Sequence, residues 1–283
     1  MTRTPSSVLR YTAFDVDGAG GNPAGVVLDA RGLDATRMQE IAAEVGFSET
    51  AFLTGGEGRR LRIRYFSPLA EVAFCGHATI ATAVALAERE GTGELRLATS
   101  AGEVRVGTRT ESGRILATLT SVAPAVREVE EADLGAALTA LRWDAAELDP
   151  KLPPRVASAG NDHLVLAASS RTRLAHLDYD LAALGGLMAR RGWTTVHLVW
   201  REAETVFHAR DPFPPGGVVE DPATGAAAAA FGAYLRSLGL VLPPARVTIH
   251  QGRDMGRPSL LLVDVPAGDD SGIGVSGTAA PLP

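Results

Sequence analysis

Glu49, the single cysteine Cys75 and His77 are the residues of this 283-residue chain whose types and spacing point first to chemistry. A carboxyl, a thiol and an imidazole can each give or take a proton in a catalytic step. Cys75 and His77 fall where the apolar run Val72-Ala-Phe74 stops and an almost chargeless stretch begins, Ala78-Thr-Ile-Ala-Thr-Ala-Val-Ala-Leu-Ala87. A second segment has the same texture: Glu220-Asp221-Pro-Ala-Thr224-Gly225 leads into Ala226-Ala-Ala-Ala-Ala-Phe-Gly-Ala-Tyr-Leu235. A helix with no polar side must be surrounded by protein. Its alanines let strands approach closely, so a curved sheet wrapped around each helix is the expected partner. Each helix N-terminus offers backbone N–H groups and a partial positive charge, a combination that binds a carboxylate. If both lobes are built this way, the two N-termini can face a common cleft.

Glu49 lies in Phe47-Ser-Glu-Thr-Ala-Phe-Leu53, where alternation puts it on the face of Phe47, Ala51 and Leu53. If that face is the core, the carboxyl sits among apolar neighbours and suits acid–base work. If Phe52 points inward instead, Glu49 faces solvent. The pattern does not separate the two. Asp221 and Thr224 likewise read either as helix caps or as groups facing a substrate, and His77 either as an ordinary residue at a helix start or as a catalytic one.

Composition narrows the function classes. The chain is 46% hydrophobic and 21% charged with a formal net charge of −6. It therefore lacks the basic surface of a general nucleic-acid or anionic-membrane binder. One cysteine excludes an internal disulfide and a cysteine-rich metal site, and fits a reducing compartment. Residues 1–8 contain no apolar core of signal-peptide length, and the chargeless stretches fall short of the roughly 20 residues that span a bilayer. A soluble, cytoplasmic protein is expected. The histidines are scattered, without a His-x-x-x-His or carboxylate cluster at ligand spacing, so no metal is expected. The glycines at 18–25 are interrupted by Asn22-Pro23 and do not form a dinucleotide fingerprint, and no cofactor is expected.

Two features recur half a chain apart. Gly21-Asn22 precedes the apolar strand Ala24–Leu28, as Gly160-Asn161 precedes His163–Ala167. Strand, Gly-His and apolar helix at 72–87 is echoed by strand, Thr-Gly and apolar helix at 218–235. Their shared order points to two similar lobes. The first is placed at 1–123, with a possible last strand near 272–283, and the second at 124–266. Pro124–Pro154, with an alanine-rich helix near 131–140, reads as a crossing between lobes, and the Gly, Ser, Ala and Pro-rich end of 266–283 as loose.

Several segments match a known family in order. They are Ala13-Phe-Asp15 with Gly21-Asn-Pro-Ala24, Met38-Gln-Glu-Ile-Ala42, Phe47-Ser-Glu-Thr-Ala-Phe52, Arg64-Tyr-Phe-Ser-Pro68, Phe74-Cys-Gly-His-Ala-Thr79, Glu220-Asp-Pro-Ala-Thr-Gly-Ala226, and His250-Gln-Gly252 with Gly256-Arg-Pro258. The chain resembles the PhzF-like isomerases, the phenazine-biosynthesis branch of the diaminopimelate-epimerase fold. The resemblance implies an α+β fold of two pseudo-symmetric lobes, each a curled, mostly antiparallel, barrel-like sheet around a central apolar helix. It also implies a homodimer and catalysis without a cofactor on a small, cyclic, carboxylate or amino-acid-like substrate, in secondary metabolism. Glu49, in the Ser-Glu-Thr motif, would move the proton, with His77 and Asp221 holding the substrate and assisting. Asn22, Ser48, Cys75 and Gly76 in the first lobe, and Thr224, Gly225 and Ala226 in the second, would contact it.

Two departures matter. Many family members carry Gly-Ser-Ala where this chain has Gly225-Ala-Ala227, so a hydroxyl that could touch substrate is missing. Diaminopimelate epimerases use two opposed cysteines, and this chain has one, which excludes a two-thiol racemase. Cys75 fits a relic, an assisting acid or a small packed hydrophobe, with packing favoured. Two alternative functions remain: an amino-acid or hydroxy-acid epimerase or racemase, and a non-catalytic ligand-binding member of the fold.

Overall fold

Residues 8–283, described by a computed structural model, divide into two units. One runs to Thr120 and takes back Ser276–Pro283; the other is Ser121–Val275. The leader expectation for residues 1–8 falls almost wholly on residues 1–7, outside the described residues. Among the described residues no helix is long and apolar enough to cross a membrane.

In the first unit β1 (Leu9–Ala13) pairs antiparallel with β2 (Asn22–Val27). The helix α1 (Ala35–Val45) crosses over so that β3 (Glu49–Glu57) lies parallel to β2. Asp34 caps α1 by accepting the Arg37 N–H at 2.8 Å, and Gly46, at φ 71°, ends it. Its buried Met38, Ile41 and Ala42 pack with Phe52 and Phe66. β4 (Arg60–Phe66) returns antiparallel to β3 and pairs with the two-residue strand β5 (Glu71–Val72). A second crossover, α2 (Gly76–Glu90), brings β6 (Glu94–Thr99) parallel to β4. β7 (Gly102–Glu111) and β8 (Arg114–Thr120) follow as antiparallel neighbours.

Every residue of α2 from His77 to Ala87 is buried, and the helix packs against β1, β2, β3, β7 and β8. The sheet therefore curls around it, as a helix without a polar side requires. Its two buried threonines donate back to carbonyls one turn earlier, Thr79 to Cys75 at 2.6 Å and Thr82 to Ala78 at 2.7 Å. No hydroxyl of α2 is thereby left unpaired in the apolar interior. Truncating a fully buried side chain here, Ile80→Ala for instance, costs about 2–5 kcal/mol.

The second unit repeats the route. β9 (Ala125–Glu128), followed by α3 (Glu131–Leu141), pairs antiparallel with β10 (Arg155–Ser158), which pairs antiparallel with β11 (Asp162–Ala167). After α4 (Arg171–Ala175) and α5 (Leu181–Arg191), β12 (Trp193–Ala203) lies parallel to β11. β13 (Val206–Pro212) is antiparallel to β12 and to the two-residue β14 (Glu220–Asp221). The helix α6 (Gly225–Ser237) crosses to β15 (Ala245–Gln251), parallel to β13, and β16 (Ser259–Val265) is antiparallel to β15. From β10 to β16 the pairings repeat those from β1 to β7, parallel for parallel. Both units thus carry a sheet curled on a buried helix.

Three details sharpen the sequence reading. The segment from Pro124, placed at the start of the second lobe and read as a crossing, packs into that unit's core, since Ala137, Leu138 and Leu141 of α3 pack with Leu184, Leu187 and Met188 of α5. The last strand expected near 272–283 is present, as β17 (Gly274–Gly277) followed by Ala279–Pro281, which pairs antiparallel with β1, so that end is not loose. Val218 and Val219 are exposed rather than a strand, and the pairing residues are the next two, Glu220 and Asp221.

Candidate active site

Glu49 is the first residue of β3, and its side chain is 20% exposed. Over Thr50–Leu53 neither face of this strand is the solvent side. Thr50, Ala51, Phe52 and Leu53 are all buried, because α1 and α2 both pack against β3. Cys75 is the N-cap of α2, with extended backbone (φ −144°, ψ 115°) and no side-chain capping bond. A Cβ built on Gly76 would meet nothing within 4 Å, so the helix starts beside open space.

The three proton-transfer side chains converge there. His77 Nε2 lies 3.3 Å from Glu49 Oε2 and 3.3 Å from Ser48 Oγ. The Cys75 thiol donates to Glu49 Oε2 at 3.5 Å and lies 3.4 Å from His77 Nδ1. Burial pushes the His77 imidazole below its ordinary pKa, against the weaker opposing pull of Glu49 and of a hydrogen bond to the Pro23 carbonyl. The ring is therefore neutral at pH 7. The β2–β3 register sets Ala24 against Glu49, which brings the buried Asn22 and the half-buried Pro23 to this end of the strand pair. Gly21 makes the turn into β2 at φ 70°, where a Cβ would sit 2.4 Å from Thr12 Oγ1.

In the second unit Asp221 ends β14 and Thr224 is the N-cap of α6. Capping does not explain the Thr224 side chain. Thr224 makes no side-chain cap bond; its hydroxyl donates instead to Asp221 Oδ2 at 2.5 Å. The fully buried Gln251 locks this turn. Its Oε1 accepts the Thr224 N–H at 3.1 Å, while Nε2 donates to the Asp221 carbonyl at 2.8 Å and to Thr224 Oγ1 at 3.1 Å. Gly252 follows at φ 72°, where a Cβ would lie 2.8 Å from the Pro222 carbonyl. Thr224, Gly225 and Ala226 are half-buried, and full burial begins at Ala227.

The fold thus gathers Asn22, Ser48, Glu49, Cys75, Gly76 and His77 at one end of α2, and Asp221, Thr224, Gly225 and Ala226 at one end of α6. Cys75 is buried as its packing role requires, yet its sulfur also touches two ionisable groups. Linear spacing hid that Glu49, Cys75 and His77 form a cluster whose ligand atoms all lie within 4.8 Å of one another. Sequence reasoning also missed the Pro23 carbonyl and Gln251. The motif His250-Gln-Gly252 was the signal for the latter.

A half-buried carboxylate against a neutral imidazole and a thiol, at the start of an enclosed helix in a duplicated α+β fold, is a constellation suited to proton transfer. The chain belongs to the PhzC-PhzF family of phenazine biosynthesis-like proteins, which it matches over residues 11–282. It is 34% identical to the uncharacterised isomerase YddE of Escherichia coli K12, over 97% of this chain and 96% of that protein. It is 32% identical to the trans-2,3-dihydro-3-hydroxyanthranilate isomerase of Pseudomonas chlororaphis, over 85% of this chain and 84% of that protein. The crystal structure of a PhzF-family phenazine biosynthesis protein from Bacillus anthracis superposes with a TM-score of 0.86 at 27% identity, covering 98% of this chain and 96% of that one.

Proposed function

We propose that this isomerase of the PhzF family moves a proton on a small, cyclic, carboxylate or amino-acid-like substrate, using its own acid–base groups. The observation that carries the reading is the position of Glu49, half-buried and 3.3 Å from His77, whose charged form burial disfavours. Glu49 takes a proton from a carbon activated by an adjacent carboxyl or by conjugation. The same carboxyl, now protonated, delivers it to another carbon on that face of the substrate. His77 orients Glu49 and does not compete with it as a cation. The backbone N–H groups at Gly76 and His77 receive the substrate carboxylate. Asp221, fixed by Thr224 and Gln251, is the candidate acid–base group of the second unit. The dihydrohydroxyanthranilate named for the Pseudomonas relative belongs to this substrate class and is the first compound to try. A cytoplasmic homodimer in secondary metabolism completes the proposal, and light scattering tests its assembly.

Epimerisation would need acids on both faces of the substrate. Cys75 and Glu49 instead meet at one oxygen, 3.5 Å apart, which favours a single shared proton and a one-base shift. The test is Glu49→Gln assayed in heavy water. Wild type is expected to place deuterium at one carbon of the product, and the variant to lose at least about 100-fold in kcat with its fold intact. A variant that turns over near the wild-type rate removes Glu49 as the base.

A further inference from the structure

We infer, on the reading of Asp221 as an acid–base group, that Asp211 is a positioning residue whose buried charge keeps the proton on Asp221. β13 and β14 pair antiparallel with Asp211 directly opposite Asp221. Residues opposed in this way share one face of a sheet, with Cβ atoms about 4.5–5.5 Å apart. Asp211 is 0% exposed, so the shared face is the interior one. Its Oδ1 accepts from His197 Nδ1 at 2.8 Å and from Thr195 Oγ1 at 3.4 Å. Thr195 in turn accepts from His163 Nδ1 at 2.8 Å, and all four residues are buried.

Nothing bonded to Asp211 balances its charge. Burial pushes the His163 imidazole down to about 4, so that ring is neutral at pH 7. His163 Nε2 and His197 Nε2 both lack a partner, so a second proton on either ring would meet no acceptor. The neighbouring Arg210 is taken up by Glu220. Hydrogen bonding alone does not call for a carboxylate here, since Asp211 Oδ2 has no partner. Asparagine would offer the same Oδ1 to His197 and Thr195 and bring no charge into the interior. A buried charge that no hydrogen bond requires points to an electrostatic task. An anion this close makes a second carboxyl harder to ionise. Asp221 then accepts from Thr224 at Oδ2 and keeps a proton on its other oxygen, to donate to a polar atom of the substrate. The remaining groups around the Asp221 turn are Gln251 on β15, Tyr179, the Arg210–Glu220 pair and Arg257 beside Gly252; α6 brings no charged side chain before Arg236. All of them stay in place in an Asp211 variant, which isolates the Asp211 charge.

Carbon-13 NMR titration of the full chain labelled at its aspartate carboxyls tests this, with Asp221→Asn assigning the Asp221 signal. In Asp211→Asn, Asp221 should ionise about one pH unit or more below its wild-type midpoint. That variant keeps the Oδ1 acceptor, so its urea midpoint should be no lower than wild type, while the high-pH limb of kcat moves down with the titration. Asp211→Ser, smaller and also neutral, is the second variant and should move Asp221 the same way. An Asp221 midpoint that stays put or rises in either folded variant overturns the inference. Failure of both variants to fold also overturns it and makes Asp211 a structural residue. The titration is read without substrate, so its outcome is separate from that of the proposed function. Near-wild-type turnover by Asp221→Asn would remove Asp221 from the chemistry and leave the measured effect of Asp211 standing.

Discussion

At the scale of single residues, the first-unit site is set by burial and the second by one amide. Glu49 and His77 touch at 3.3 Å, and burial keeps the imidazole neutral. On α6 the equivalent order comes from Gln251, whose carboxamide satisfies three groups of the Asp221–Thr224 turn. Gln251→Ala removes those bonds and leaves the Thr224 N–H and the Asp221 carbonyl without this partner. Each such loss in a buried setting costs about 1–3 kcal/mol. We expect a lowered unfolding midpoint and reduced turnover. Gln251→Glu, which keeps acceptors but loses both donor hydrogens, should recover only part of either. If Gln251→Ala lowers stability and leaves kcat and KM unchanged, the turn has no part in catalysis.

At the scale of elements, each short strand that leads into a buried helix is held by an arginine fork. In the first unit Arg64 on β4 donates to Glu71 on β5 at 2.7 and 2.6 Å; in the second, Arg210 on β13 donates to Glu220 on β14 at 2.9 and 2.5 Å. The pairs occupy equivalent places but differ in exposure, 32 and 34% against 9 and 4%. Breaking the solvated pair with Glu71→Gln should therefore cost only about 0–1 kcal/mol. Glu220→Gln strands a buried guanidinium and should cost about 3–5 kcal/mol. Urea unfolding of both variants checks the contrast, and equal losses would contradict it. These forks also mark where the sequence stops being readable. The two buried helices were legible because ten apolar or small residues in a row permit little else. β5 and β14 are two residues long, too short for any period, and the apolar Val218-Val219 drew the strand one step too early. The fork partners stand 7 residues apart in one unit and 10 in the other, so no fixed spacing announces them. Glu49 stayed ambiguous because alternation assumes one wet face, and the start of β3, Thr50–Leu53, has none.

At the scale of the whole molecule, the first unit is completed by residues that follow the entire second unit in sequence. Ala279–Pro281 pairs with β1, setting Tyr11 against Pro281 and Ala13 against Ala279. Around that pairing, Phe14 N–H donates to the Thr278 carbonyl at 2.8 Å and Leu282 N–H to Arg10 at 2.8 Å. Thr278 Oγ1 donates to the buried Asp15 at 2.7 Å, and Thr118 and Ser276 share a hydroxyl bond at 2.7 Å. Asp15 also pairs with Arg114 at 2.5 Å, so the returning segment is tied to both β1 and β8. Gly277 is required at this closure: a Cβ there would sit 2.2 Å from the Phe14 ring. Removing Ser276–Pro283 breaks those four hydrogen bonds, a loss of about 2–6 kcal/mol at the usual net value for each. It also bares the edge of β1. Since β1 pairs with β2, and the β2–β3 register sets Ala24 against Glu49, the loosening should reach the acid–base cluster. Hydrogen exchange on the truncated chain should show faster exchange in β1, β2 and β8, with β11 to β13 close to the full-length rates. Uniform acceleration throughout both units would mean that they unfold as one cooperative body, and unchanged rates in β1 would mean that the C-terminal strand contributes nothing to its stability.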